Sequence, residues 1–171
     1  MKVSDGFIID LETNEFTKVP EGRFLSARSN AKAFHFNSRV YVWGGLPADG
    51  NSNSGAVFDT EKKAWEPMAE IPVPEFRELT GAEMVMLEPR GLVLTGGRLG
   101  SGRFNDDVWI FEFSSKRWIK IIAKNPPQGR IAHCTVATGR GEIAVFGGMG
   151  TDPGSRTLSQ FDGIWLLKLD E

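Results

Sequence analysis

The sequence predicts an all-β repeat protein, and three observations carry that prediction. The first is a short apolar run closed by a glycine pair, met three times. The runs are VYVWGG (Val40 to Gly45), LVLTGG (Leu92 to Gly97) and the run through Val145 and Phe146 that ends in Gly147-Gly148. The second glycines, Gly45, Gly97 and Gly148, stand 52 and 51 residues apart, and a fixed period of this length marks a repeat architecture. The second observation is the lack of helical periodicity. No long window carries apolar residues at i, i+3, i+4 and i+7; apolar or alternating runs lie instead between clusters of Gly, Pro, Asn, Asp and Ser. The third is composition: 20 glycines, nine prolines and five tryptophans in 171 residues suit many tight turns.

Each repeat resolves into four strand candidates, a to d. Strand a is rich in small residues and spans Asn30 to Phe36, Thr80 to Leu87 and Ile131 to Thr138. Short turns follow at Asn37-Ser38, Pro89-Arg90-Gly91 and Gly139-Arg140-Gly141. Strand b is the apolar run ending in the glycine pair. Strand c is Ala56 to Asp59, Asp107 to Phe113 and Gly163 to Leu169, and strand d carries Trp65 and then Trp118. An acidic residue precedes the d-strand aromatic by six positions: Asp59 before Trp65, Glu112 before Trp118, and Asp10 before Phe16. The segment DGFIIDLETNEF is therefore the c–d half of a further repeat. The short polar links TEKKA and SSKR read as c–d hairpin turns.

The glycine doublet after an apolar strand, the acid-flanked strand c, the spaced Trp and the RIAH string (Arg130 to His133) together resemble the kelch motif. The resemblance covers nearly the whole chain and implies a β-propeller arc, each blade a four-stranded antiparallel sheet. Small strand-a residues (Ala31, Ala33, Gly81, Ala82, Ala132, Ala137) suit the crowded centre of such a fold, and the Trp and Phe residues of c and d suit its wider rim. The expected organisation is one partial propeller domain: a half repeat at 1–19, repeats at 28–68 and 77–122, and a repeat at 130–171 that lacks its last strand. Propellers typically close with about four to eight blades. Three blades and a half point to a homo-oligomer, or to a fragment completed by further blades.

Charge and composition narrow the partners. Twenty basic against 22 acidic side chains give no footprint for obligatory nucleic-acid binding. The single Cys134 has no intramolecular disulfide partner, which is consistent with a reducing compartment. No apolar run reaches membrane-span length, and MKVSDGFIID has no signal-peptide core. The expectation is a soluble, cytoplasmic protein.

In an antiparallel blade the b–c and d–a connections emerge on one face, and here those are the long ones: Leu46 to Ser54, Arg98 to Asp106 and Met149 to Asp162 for b–c, with Thr17 to Ala27, Glu66 to Phe76 and Ile119 to Gly129 for d–a. That face is the expected site. Arg28, Arg77 and Arg130 each stand just before strand a and read as a ring of guanidinium groups. Arg98, Arg103 and Arg156 in the b–c loops extend it. In kelch-like propellers this position often contributes to partner binding, so the resemblance implies a protein partner, and paired guanidinium donors suit an acidic peptide segment. The competing reading makes these arginines structural, capping carbonyls or pairing with acids such as Glu75 or Glu78.

Catalytic signals are weak. Copper-radical oxidases of similar architecture use two histidines and two tyrosines at the metal, whereas this chain has His35, His133 and only Tyr41. His133 reads as a buried hydrogen-bonding residue. Neighbouring residues on a strand point to opposite faces, so His133 and Cys134 do not form a base–nucleophile pair. The sequence contains no GxSxG, CxxC, HExxH or phosphate-loop pattern. GGRLGSGR (Gly96 to Arg103) has no following helix, and Asp49, Asp106 and Asp152 read as turn residues before cation ligands. The expectation is no catalytic residue, metal or cofactor. Three functional readings stay open: a non-catalytic binding module acting as adaptor or scaffold, a carbohydrate- or sugar-acid-binding or isomerising propeller, and a structural repeat with no site of its own.

Overall fold

The computed structural model describes residues 6–139, 141–151 and 157–168. The chain divides into two compact units, residues 1–70 and 71–171.

The first unit opens with a hairpin, β1 (Phe7–Ile9) and β2 (Phe16–Lys18), paired antiparallel with Ile9 opposite Phe16. This is the predicted c–d half repeat. A two-residue strand β3 (Arg28–Ser29) precedes β4 (Lys32–Phe36), β5 (Arg39–Trp43), the short β6 (Leu46–Pro47), β7 (Gly55–Asp59) and β8 (Ala64–Met68). Strands β4-β5-β7-β8 form an antiparallel four-stranded sheet in chain order, the predicted a-b-c-d blade. Asn37 and Ser38 both take left-handed φ values (47° and 56°), the two-residue turn that suits the twist of a tight hairpin. Phe58 of β7 lies opposite Trp65 of β8, their rings 5.1 Å apart.

The second unit begins with a 3-10 turn, Pro74–Glu78, followed by β9 (Thr80–Leu87), β10 (Gly91–Arg98), β11 (Val108–Glu112) and β12 (Arg117–Ile121). These four strands form the second sheet, again in a-b-c-d order. Phe111 faces Trp118 with ring centroids 5.5 Å apart, repeating the first sheet's aromatic pair. A third sheet follows from β13 (Cys134–Ala137), β14 (Glu142–Phe146) and β17 (Ile164–Lys168), with a hairpin of β15 (Met149–Thr151) and β16 (Leu158–Gln160) between its second and third strands. The core of this unit is a cluster of Leu87, Val93, Val108, Ile110, Ile143 and Val145, with Val85, Ile121 and Leu167 packed against it.

The predicted strand order holds in every sheet. Two strand-a boundaries move inward, and backbone conformation gives the reason. Asn30 and Ala132 adopt left-handed φ values (57° and 54°), which interrupt the pleat before β4 and β13. The b–c connections expected to be plain loops are partly paired: Leu46–Pro47 pairs back onto Arg28–Ser29, and β15 pairs with β16. No helix among the described residues is long and apolar enough to cross a membrane.

Candidate functional site

The glycine pairs govern the geometry around the arginines. In each pair both residues take positive φ: Gly44 and Gly45, Gly96 and Gly97, Gly147 and Gly148. Such a turn folds strand b's end back against strand a's start. A β-carbon on Gly45 would sit 2.7 Å from the Ala31 amide nitrogen, and one on Gly148 2.7 Å from the Ile131 carbonyl oxygen. Only glycine fits both the conformation and the approach.

That turn also takes the first glycine's carbonyl out of the sheet ladder, and a buried carbonyl needs a donor. Arg28 Nη1 donates to the Gly44 and Ser54 carbonyls at 2.9 and 3.0 Å, and its Nε donates to the Ser26 carbonyl at 3.0 Å. Arg130 repeats the arrangement: Nη1 donates to the Gly147 carbonyl and Nε to the Gln128 carbonyl, both at 2.9 Å. Arg130 is 2 % exposed, and its guanidinium lies 4.5 Å over the Phe161 ring. Desolvation by burial pushes both guanidinium groups down from their ordinary pKa. These two arginines hold their own blades together.

Arg77 does not share that position. By strand register, Arg28 lies opposite Pro47, two residues past its second glycine, and Ile131 lies opposite Met149, one past its own. In the second sheet Thr80 lies opposite Arg98, one past Gly97, so the counterpart of Arg28 and Arg130 is Leu79. Leu79 is buried and covers Gly97, while Arg77 sits two residues earlier, exposed on the 3-10 turn. The orphan carbonyl there finds another donor. Asn105, fully buried, donates from Nδ2 to the Gly96 carbonyl at 2.9 Å and to the Asp107 carbonyl at 3.0 Å. Sequence reasoning passed over Asn105. A signal was available, since Asn53 and Asn105 both stand eight residues beyond a second glycine and both are buried.

The exposed arginines gather at one end of the second sheet. The 3-10 turn and the Arg98-to-Asp106 connection meet there, with Arg103 Nη2 3.8 Å from Glu75 and Nη1 3.4 Å from Asp106. Arg98 is exposed and donates from Nε to the Gly102 carbonyl at 3.2 Å. The next d–a connection reaches the same place, because a β-carbon on Gly129 would lie 2.6 Å from the Phe104 carbonyl oxygen. The connection that carries Arg98, Arg103 and Asp106 thus meets the turn that carries Arg77, through Glu75 and Glu78. Arg156 and Asp152 lie outside the described residues. Asp49 receives the Asn51 amide at 3.0 Å, a turn contact that comes first among the causes lowering its carboxyl pKa.

The remaining candidates separate. His133 is buried with Nε2 3.0 Å from Thr95 Oγ1, and Thr95 is in turn 2.7 Å from Thr135 Oγ1. Its neighbour Cys134 is exposed, on the other face of the strand. His35 is exposed on β4 in the first unit. Among the described residues no three His, Cys, Asp or Glu side chains cluster in a way that could hold a metal ion.

Comparison with known proteins agrees with this architecture. A family model described as the KLHDC2/KLHL20/DRC7 Kelch-repeats domain matches residues 1–171. An F-box/kelch-repeat protein of Arabidopsis thaliana is 47 % identical over 51 residues, which is 30 % of this chain and 15 % of that protein. The tRNA wybutosine-synthesizing protein 4 of Candida albicans is 38 % identical over 76 residues, 44 % of this chain and 10 % of that one. Kelch domain-containing protein 2 of Bos taurus is 25 % identical over 145 residues, 82 % of this chain and 35 % of its own length. The chain therefore spans between about a tenth and about a third of these relatives. With the family model matching from end to end and the blade pattern in place, the chain belongs to the kelch-repeat family.

Proposed function

We propose that this chain is a non-catalytic protein-binding module, an adaptor or scaffold element, that engages an acidic partner segment through the loop end of its second sheet. The observation that carries the reading is that the turn bearing exposed Arg77 and the connection bearing exposed Arg98 and Arg103 approach to 3.8 Å, between Glu75 and Arg103. Exposed guanidinium groups on loops held by a rigid sheet suit carboxylate recognition through paired donors. Glu75 and Asp106 already lean on Arg103, so a carboxylate-bearing partner exchanges with these weak surface pairs, not with bare charge. Arg28 and Arg130 serve this reading as scaffold, holding the glycine turns beneath the loops of their own sheets.

The test is the affinity of a fluorescein-labelled, glutamate-rich peptide, followed by anisotropy. The double variant Arg77→Ala/Arg98→Ala is expected to weaken binding roughly tenfold at low salt and to flatten its salt dependence. Unchanged affinity in that variant refutes the proposal. A sugar-acid titration followed by tryptophan fluorescence checks the carbohydrate alternative, and saturable quenching there, with no peptide binding, would replace this reading.

A further inference from the structure

His133 stands where the second and third sheets meet. Its ring is 4 % exposed, in a slot shaped by the glycine pairs of both sheets. A β-carbon on Gly96 would meet the ring at Cε1, and one on Gly148 would lie 2.9 Å from the His133 β-carbon. Nε2 is 3.0 Å from Thr95 Oγ1 of β10, which is 2.7 Å from Thr135 Oγ1 of β13. An imidazole and two hydroxyls thus tie sheet to sheet. A backbone bond crosses beside them, from the Gly97 amide to the Arg130 carbonyl at 2.7 Å. The connection bearing Arg98 and Arg103 is rooted at the same point. Asn105 donates from its amide to the Gly97 carbonyl at 2.8 Å and from Nδ2 to the Gly96 carbonyl at 2.9 Å.

We propose that this tie is a pH-sensitive latch. Protonation of His133 loosens the junction of the two sheets and, with it, the root of the arginine-bearing connection. While the ring is neutral, its two tautomers allow the hydrogen-bond chain to run from His133 to Thr135 or the other way. An imidazolium only donates, so a single direction remains. The larger cost is the charge itself, because a slot this closed strips a cation of its water. Arg130, 2 % exposed on the same connection, is already a buried cation. The charged residue of β9 is Glu83, opposite Thr95 and on the same face of the sheet. It is only half-buried, and water weakens its pull on the ring. Arg98 at the end of β10 is exposed, Cys134 points to the other face of β13, and Glu142 stands at the far end of β14. Desolvation therefore wins. Unfolded histidine titrates near about pH 6.5, so the latch is whole above that pH and weakens as pH falls below it. Carboxylates titrate near about pH 4, and the second histidine of the chain, His35, is exposed on β4 in the first unit. The latch does not depend on what the arginines bind.

NMR of the full chain tests it on both sides. The Cε1–H resonance reports the His133 ring, and exchange of the Gly97 and Asn105 amides, corrected for intrinsic rates, reports the junction. Protection of both amides should be steady above about pH 7 and fall about tenfold by about pH 5.5, one unit below the unfolded value. His133→Gln, which keeps a donor and an acceptor but does not titrate, should remove that dependence. His35→Gln should leave it as in the wild type, and tryptophan fluorescence checks that each variant is folded. Constant wild-type protection overturns the proposal. So does a loss that survives in His133→Gln or vanishes in His35→Gln. If His133→Gln does not fold, the wild type decides. A His133 ring that takes up its proton in step with the loss of protection supports the latch, and one that does so without any loss refutes it.

Discussion

Arg28 and Arg130 show how one backbone choice recruits a side chain far along the sequence. The positive φ of a glycine pair turns a carbonyl out of the ladder, and a buried carbonyl without a donor is costly, about 1–3 kcal/mol. A guanidinium answers it well because its planar fork reaches two carbonyls at once. Replacing Arg130 by Ala is therefore expected to cost about 3 kcal/mol in urea unfolding, and Arg130→Lys should leave most of that loss, because an ammonium does not reproduce the fork. Arg77→Ala, on an exposed turn, should move stability by no more than about 0.5 kcal/mol. Equal losses at the two sites would contradict the division into buried scaffold and exposed surface.

At the scale of elements, the six-residue spacing between an acid and the d-strand aromatic has a local cause. The amides of Glu61 and Lys62 donate to Oδ1 of Asp59 at 3.1 and 2.9 Å, and those of Glu12 and Thr13 donate to Oδ1 of Asp10 at 2.8 and 3.0 Å. The same side-chain turn reverses the chain in both hairpins. In Asp59 the Lys62 amide is the first cause that holds the carboxyl below its ordinary 3.8, helped by the Lys62 ammonium at 3.3 Å. A depressed folded-state pKa stabilises the fold above the unfolded value and loses that contribution as pH falls through the folded one. Asp59→Asn should thus lower the urea midpoint at pH 7, and the gap to wild type should narrow as pH falls below 3.8 and through the lower folded-state value. A gap that persists in acid would assign the effect to packing.

At the scale of the molecule, stability is unevenly spread. Leu92, Val93 and Leu94 of β10 have no exposed surface, and β10 is paired on both sides. The edge strand β13 is mostly exposed, as is the isolated β1–β2 hairpin. Amide exchange followed by mass spectrometry should find β10 the slowest segment, with β13 exchanging roughly a hundredfold faster. Uniform exchange across the second unit would mean that its sheets open only together. The division of the chain into two compact units is also a feature of this scale.

Much of the fold was legible before any coordinates. The glycine period located strand b in all three sheets, and the Asp–Phe spacing identified the β1–β2 hairpin. Its limits were equally specific. Arg28, Arg77 and Arg130 look equivalent because their spacing, 49 and 53 residues, is close to the repeat. Strand pairing moves Arg77 out of that set and puts Leu79 in it. An offset of two residues is invisible in spacing and decisive in a sheet.

The amino-acid sequence by itself determined the repeat, the strand order within each blade and the positions of the turns, because glycine conformation, side-chain turns and strand alternation act over a few residues. Only the tertiary structure decided which arginines are buried and which are exposed. That depends on where a turned-out carbonyl finds its donor, and Asn105 rather than an arginine supplies it in the second sheet.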